Sequence, residues 1–283
     1  MYISAIIPIG NLSEDYENLL HINRITKFPN FEVIYILDNQ KCHDLKSKFE
    51  RTITFENKNS VILNVDCVNP GGARNAGLQI ASGKFVVFWD SDDTPIPTKV
   101  LELVNEMDLS KKDIAIAEYD VMKKDLSIAK IKLDTYSDLE FSPGIWRWII
   151  RSNIARNSKF PDLKWGEDQC YLASIIAENQ NLYFNTTKIY VYNNDNPFSL
   201  TKNNKNVSDL FVAINILNDI SLNCRFNTKL ISFWKIRLCL TGIFRSHRIL
   251  RIRFIIIFFR NFLKNPIQVI RSVFRIWSAR NVF

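Results

Sequence analysis

The first hundred residues alternate short apolar runs with segments of helical character. "YISAIIPI" opens the chain, residues 14–27 read as a helix, "FEVIYIL" follows, and a polar stretch separates it from "SVILNV". A glycine-containing turn, a helix from about Ala73 to Ala81 and the run "KFVVFW" complete this part. Near-continuous β-branched runs alternating with helices predict a mostly parallel sheet flanked by helices on both faces, an α/β fold. Further on, the pattern predicts a helix from Lys99 to about Asp108, a strand in "DIAIAEYDVM" and its hairpin partner in "KDLSIAKIKLD". "PGIWRWIIRSNIARNS" is expected to be a helix after a Pro-Gly turn. "KFPDLKWGEDQCYLASIIAEN" predicts a loop and then a helix with Tyr171, Leu172, Ile175 and Ile176 on its apolar side. "LYFNTTKIYVYNNDNPFSLTK" predicts two strands and a polar turn.

Open sheets of this kind bind ligands beyond the carboxyl ends of their strands. Three polar signals sit where predicted strands end, and they are expected to converge on one crevice: Pro8 to Asn11, Asp38, and Asp90 to Asp93. In the last of these, "FVVFWDSDD", an apolar run leads straight into Asp90, Asp92 and Asp93. Aspartates are also common in turns and at helix caps. The apolar lead-in, however, fixes the acids at a buried edge, where unpaired charge is costly. A divalent cation resolves the conflict, because Mg²⁺ and Mn²⁺ take one or two carboxylate oxygens and complete their shell with water and substrate phosphates.

A chain of 283 residues with 47% hydrophobic content suffices for one large α/β domain with an appendage, or for two small domains. Its five cysteines form neither a C-x-x-C pair nor metal-ligand spacing, so they are expected to be free core thiols in a reducing compartment. The three histidines are scattered, and no zinc site is expected. "MYISAIIPIG" lacks the basic start and long apolar run of a signal peptide, which places the protein in the cytoplasm as an expectation.

Charge divides the chain in two. Residues 1–220 carry 24 Lys+Arg and 29 Asp+Glu, whereas residues 221–283 carry 13 and none. The longest purely apolar run of this tail, "FIIIFF", is far too short to cross a bilayer. Arg253, Arg260, Lys264, Arg271 and Arg275 share one side of a helical wheel, and Pro266 is expected to divide the segment into two helices. Basic amphipathic helices of this kind lie in a membrane interface. Arg-rich helices also neutralise nucleic acid, but bulky aliphatic residues outnumber polar ones here and favour lipid. Packing of the apolar face on the body or on a partner subunit is the third possibility.

Four segments together resemble the inverting glycosyltransferases of family 2, which have the GT-A fold. "SAIIPIGN" is similar to that family's opening strand and turn, "VIYILDN" to its second strand, "NPGGARNAGLQIASGKFVVFWDSDD" to its helix and DXD segment, and "KWGEDQCYLASII" to its acceptor-side motif. The resemblance covers roughly residues 2–202 and implies a Rossmann-like GT-A sheet with a C-terminal basic amphipathic extension. By resemblance, Asp38 contacts the base or ribose of the nucleotide, Asp90 lies against the ribose, and Asp92 ligates Mn²⁺ or Mg²⁺ on the diphosphate. Asp93 is a helper or a cap. Arg74 and Asn75 match positions beside the nucleotide sugar, and Pro8 lies in the first turn. Asp168 is implied as general base, with Glu167 and Trp165 on the acceptor side.

The second strand departs from the family by ending in "LDNQ", and Gly10 stands where an aromatic often follows; UDP is favoured by its frequency in the family. The Q-x-x-R-W motif of processive synthases is absent after Asp168, which predicts one sugar per encounter.

The expectation is therefore a catalytic domain at 1–205, with a nucleotide-binding half at 1–98 and an acceptor-side half at 99–205. A helical, membrane-associating region follows at 206–283. The reaction expected is transfer of one sugar from a nucleotide-sugar to a saccharide or lipid-linked saccharide in cell-surface polysaccharide assembly, at the inner face of the cytoplasmic membrane and without nucleic acid. The alternatives are a metal-dependent nucleotidyltransferase and an inactive nucleotide- or sugar-binding module.

Overall fold

The computed structural model describes residues 2–39, 45–67, 69–122, 128–131, 136–179, 181–194 and 206–279. The chain forms two compact units. One comprises Met1–Leu133, Gly144–Asp162 and Asn181–Pro197; the other comprises Asp134–Pro143, Leu163–Gln180 and Phe198–Phe283.

In chain order the elements are β1 (Ile3–Ile9), α1 (Leu12–Ile25), β2 (Phe31–Asp38), α2 (Lys46–Glu56), β3 (Ser60–Val65), α3 (Pro70–Ile80) and β4 (Phe85–Phe88). There follow β5 (Thr94–Pro95), α4 (Pro97–Leu109), β6 (Ile114–Met122), β7 (Ile128–Ile131), α5 (Tyr136–Phe141), β8 (Trp148–Arg151) and α6 (Ser152–Arg156). The last are α7 (Glu167–Glu178), β9 (Leu182–Asn193), α8 (Asp209–Asn223), α9 (Thr228–Arg245), α10 (Arg248–Lys264) and α11 (Pro266–Ala279).

The first unit holds all nine strands of one sheet, in the order β3-β2-β1-β4-β8-β6-β9-β5, with β7 paired to β6. β1, β2, β3 and β4 run parallel, as do β6 and β9, while β8, β7 and β5 run the opposite way. All eight residues of β2 are buried because helices cover both faces of the sheet. Ile3, Ala5 and Ile7 of β1 face a cluster that includes Leu19 of α1, Phe49 of α2 and Val100 of α4. The opposite face meets α3, where Gly77 lies directly over Ile6 and Ile36.

Four expectations change. The segment expected as a helix over Pro143–Ser158 contains a single helical turn at Ile145–Arg147, then strand β8, then the short α6. Trp148, Ile149 and Ile150 are all buried because β8 is hydrogen-bonded between β4 and β6, and a strand covered on both faces shows the same unbroken apolar run as a buried helix. The two strands expected from Leu182 are one strand, β9, whose polar "NTT" is absorbed by register shifts against Ala117, Glu118 and Tyr119. Its polar turn falls mostly outside the described residues. The polar stretch after β2 contains a helix, α2, which buries only Phe49 and Ile53 and so shows little periodicity. Cys170 and Cys239 are buried, but Cys67 and Cys224 are only partly so, and Cys42 lies outside the described residues.

The second unit is helical. Trp234 of α9 is fully buried and donates its indole N–H to the Leu139 carbonyl of α5 at 3.1 Å. α9 also packs against α8, α10 and α11. Asn265 ends α10 and Pro266 opens α11, the division expected from proline. Among the described residues, no helix is long and apolar enough to cross a membrane.

Candidate active site

The parallel register brings the carboxyl ends of β1, β2 and β4 to one edge of the first unit's sheet. Pro8 is half-buried near the end of β1, opposite Ile36 of β2. Asp38, the last residue of β2, is 3% exposed and pairs in register with Val65. Trp89 donates its amide to the Ile6 carbonyl at 3.0 Å, so the acids that follow emerge on this same edge.

The acidic loop is held from several sides. Arg74, in the first turns of α3 and almost wholly buried, donates from Nη2 to Asp90 Oδ1 at 2.7 Å and lies 5.6 Å from the Phe160 ring centroid. The Asp90 amide donates to the buried Tyr190 hydroxyl at 2.9 Å. Asn18 of α1 donates from Nδ2 to the carbonyls of Ser91 and Asp93, both at 2.8 Å. Ser91 Oγ donates to Asp15 Oδ2 at 2.6 Å. Asp93 is 1% exposed, and its Oδ1 accepts the Asn193 amide at 2.6 Å. Asp92 remains half-buried.

The carboxylates in this loop oppose one another. Burial, then the charges of Asp90 and Asp92, push Asp93 well above the usual carboxylate range. Burial also pushes Asp15 up to about 6, with Asp92, Glu14 and Asp90 adding to it and the Ser91 hydrogen bond opposing it. A site that concentrates negative charge and offers only oxygen donors fits a hard divalent cation. Among the described residues no group of three or more Asp, Glu, His or Cys side chains is placed to hold a metal ion by itself.

Asn75 is engaged differently from Arg74. Its Nδ2 donates to the Phe160 carbonyl and its Oδ1 accepts the Phe160 amide, both at 2.9 Å, so it anchors the segment under the Arg74 guanidinium. Asn69 accepts the Gly72 amide at 2.8 Å as N-cap of α3 and donates to Asp162. Trp146 is core: it stacks on Tyr190 at 5.0 Å and on Tyr192 at 5.5 Å.

In the second unit, Trp165, Glu167 and Asp168 come together at the start of α7. Gly166 takes φ +89° as its N-cap, a conformation that side chains resist, and a Cβ there would lie 3.1 Å from that of Ala213. Glu167 is buried, whereas Asp168 is partly exposed and its Oδ1 accepts the Gln169 amide at 2.7 Å. Both carboxylates sit where the dipole of α7 favours negative charge. Burial pushes the neighbouring Cys170 thiol up, and the charges of Asp168 and Glu167 add to the effect. The Arg245 guanidinium lies 5.3 Å from the Trp165 ring centroid.

Asp15, Asn18, Tyr190 and Asn193 are the loop's partners that the sequence did not single out. Asp15 and Asn18 stand one helical turn apart on α1, which is their only local signal.

The sequence model described as Glycosyl transferase family 2 matches residues 4–170. A poly(ribitol-phosphate) beta-glucosyltransferase of Bacillus spizizenii is 27% identical over 211 residues, 68% of this chain and 31% of that protein. The Escherichia coli protein WfaP, a UDP-Glc:alpha-D-GlcNAc-diphosphoundecaprenol beta-1,3-glucosyltransferase, is 31% identical over 122 residues, 41% of this chain and 45% of that one. The chain thus spans less than half the length of either relative. Residues 1–349 of S. aureus TarS in complex with UDP-GlcNAc superpose with a TM-score of 0.69 at 18% identity, over 88% of this chain and 74% of that one. The fold is shared, and with the family match spanning more than half of its length, the chain belongs to glycosyl transferase family 2.

Proposed function

We propose that the chain transfers one sugar, with inversion, from a nucleotide donor to a saccharide or lipid-linked saccharide in cell-surface polysaccharide assembly. UDP is the favoured nucleotide, and the inner face of the cytoplasmic membrane is the place of reaction. The observation that carries this reading is the acidic loop itself, clamped by α1, α3 and β9, with Asp90 paired to Arg74 and Asp92 half-buried beside it. The names of WfaP and of the TarS complex support a UDP-linked donor, and that of WfaP a lipid-linked acceptor.

Asp38 and Asp90 accept hydrogen bonds from the nucleoside, and Arg74 holds Asp90 in place. Asp92 would hold Mn²⁺ or Mg²⁺ against the donor's diphosphate, where the ion supplies positive charge for the departing group. The acceptor hydroxyl forms a bond to the anomeric carbon as the bond from that carbon to the diphosphate oxygen breaks. Asp168 takes the hydroxyl proton as general base, and the nucleoside diphosphate leaves with the electron pair. Glu167 and Trp165 orient the acceptor.

The test is calorimetric binding of UDP with Mn²⁺ or EDTA, beside turnover assays that separate UDP from diphosphate release. Asp92→Asn is expected to lose the Mn²⁺-dependent part of UDP binding. Asp168→Asn, which keeps an acceptor for the Gln169 amide, should bind UDP normally and lose about 10²–10⁴ in turnover. Retained turnover in Asp168→Asn removes it as base, and diphosphate release converts the reading to nucleotidyl transfer.

A further inference from the structure

α10 and α11 each expose an apolar stripe that nothing among the described residues covers. On α10, Ile249, Ile252, Ile256, Phe259 and Leu263 are 46–80% exposed. Steps of three and four residues confine them to an arc of roughly 80° at 100° per residue. On α11, Ile267, Ile270, Phe274 and Trp277 are 57–66% exposed. These four stand eighteen residues, or about five full turns, after Ile249, Ile252, Ile256 and Phe259, so the two helices repeat one pattern.

The opposite faces are packed. Phe254 of α10 is fully buried, stacks on Phe211 at 3.9 Å and lies where a Cβ on Gly242 would reach its ring at 2.5 Å. Val269 and Ser272 of α11 are buried, and Arg275 pairs with Glu140 at 2.6 Å. Arg275 is therefore engaged within its own unit rather than with the other cations of the tail. Arg253, Arg260 and Lys264, with Arg271 in the corresponding position on α11, remain exposed along one border of the stripes. Arg248 and Arg251 are exposed toward the other border of the α10 stripe.

We propose that the outward stripes of α10 and α11 form an in-plane docking surface for an anionic lipid bilayer. The apolar side chains would enter the acyl boundary, and the bordering cations would meet lipid phosphates. Charge selects this occupant. Residues 221–283 contain no Asp or Glu, so packing this face against a second copy would set arginine against arginine. A nucleic acid would satisfy the cations but leave nine large apolar side chains in water. The surface specifies the membrane contact of the function proposed above, but vesicle binding reads it without any sugar transfer, so failure of either idea is visible separately.

The experiment is co-sedimentation of the full chain with phosphatidylcholine vesicles, with and without phosphatidylglycerol. Wild type is expected to bind the anionic vesicles. Arg253→Gln/Arg260→Gln/Lys264→Gln/Arg271→Gln should weaken that binding by several hundredfold, at roughly fivefold per cation. Ile256→Glu/Phe274→Glu should abolish it, and because both positions are exposed the thermal midpoint should stay at the wild-type value. Lys99→Gln, on α4 of the other unit, should bind like wild type. Undiminished binding of the stripe variant overturns the proposal. So does a lipid-free dimer that Ile256→Glu/Phe274→Glu returns to monomer while wild type ignores vesicles, or retention on RNA without vesicle binding.

Discussion

Asn18 directs one amide group at two carbonyls of the acidic loop, those of Ser91 and Asp93. Asn18→Ala would leave both carbonyls without this donor, at a cost of about 1–3 kcal/mol. Because the carbonyls flank Asp92, UDP affinity in Mn²⁺ is expected to fall together with the urea midpoint; unchanged affinity at reduced stability would show that the clamp does not set the geometry of the loop. The acids themselves were legible in the sequence, since an apolar run ending in "DSDD" announces a rigid, charged strand end. Their partners were not. Asp15 meets Ser91 across 76 positions and Asn193 meets Asp93 across 100, and no local pattern encodes such contacts. Arg74 was legible through resemblance alone, and its ion pair with Asp90 gives that position a physical reason.

The elements that carry the candidate acceptor-side acids depend on one backbone conformation. Gly166 holds φ +89° immediately before Glu167 and Asp168. Gly166→Ala is expected to cost about 1–2 kcal/mol from the left-handed conformation alone, with crowding against Ala213 in addition. Turnover should drop more than UDP affinity does, and equal losses would mean that the turn serves folding only. The pattern was a good guide to β1, β2, β4 and α7: the three strands are near-continuous apolar runs set among helices, as a parallel sheet covered on both faces requires. It misled at β8, because a short strand buried on both faces and a buried helix present the same letters, and only hydrogen bonding between β4 and β6 distinguishes them. It missed α2, whose two buried residues, Phe49 and Ile53, are too few to show a period.

At the scale of the whole molecule, charge is distributed by segment: 24 Lys+Arg against 29 Asp+Glu up to residue 220, then 13 against none. Attachment that relies on the basic segment should weaken as salt rises, because exposed charges are screened over about 10 Å at 0.1 M and about 3 Å at 1 M. Raising salt from 0.1 to 1 M is expected to release the chain from anionic vesicles while UDP affinity changes far less. Equal sensitivity of the two would make the basic segment part of donor binding. The sheet topology bears on how the chain is made. β4 is hydrogen-bonded to β1 on one side and to β8 on the other, and β8 begins about sixty residues after β4 ends. As the chain leaves the ribosome, "FVVF" therefore has a bare apolar edge until β8 emerges, and unpaired edges of that kind recruit other chains. Closing so long a loop is slow, so concentration during synthesis or refolding, more than final stability, should decide how much of this protein is recovered folded.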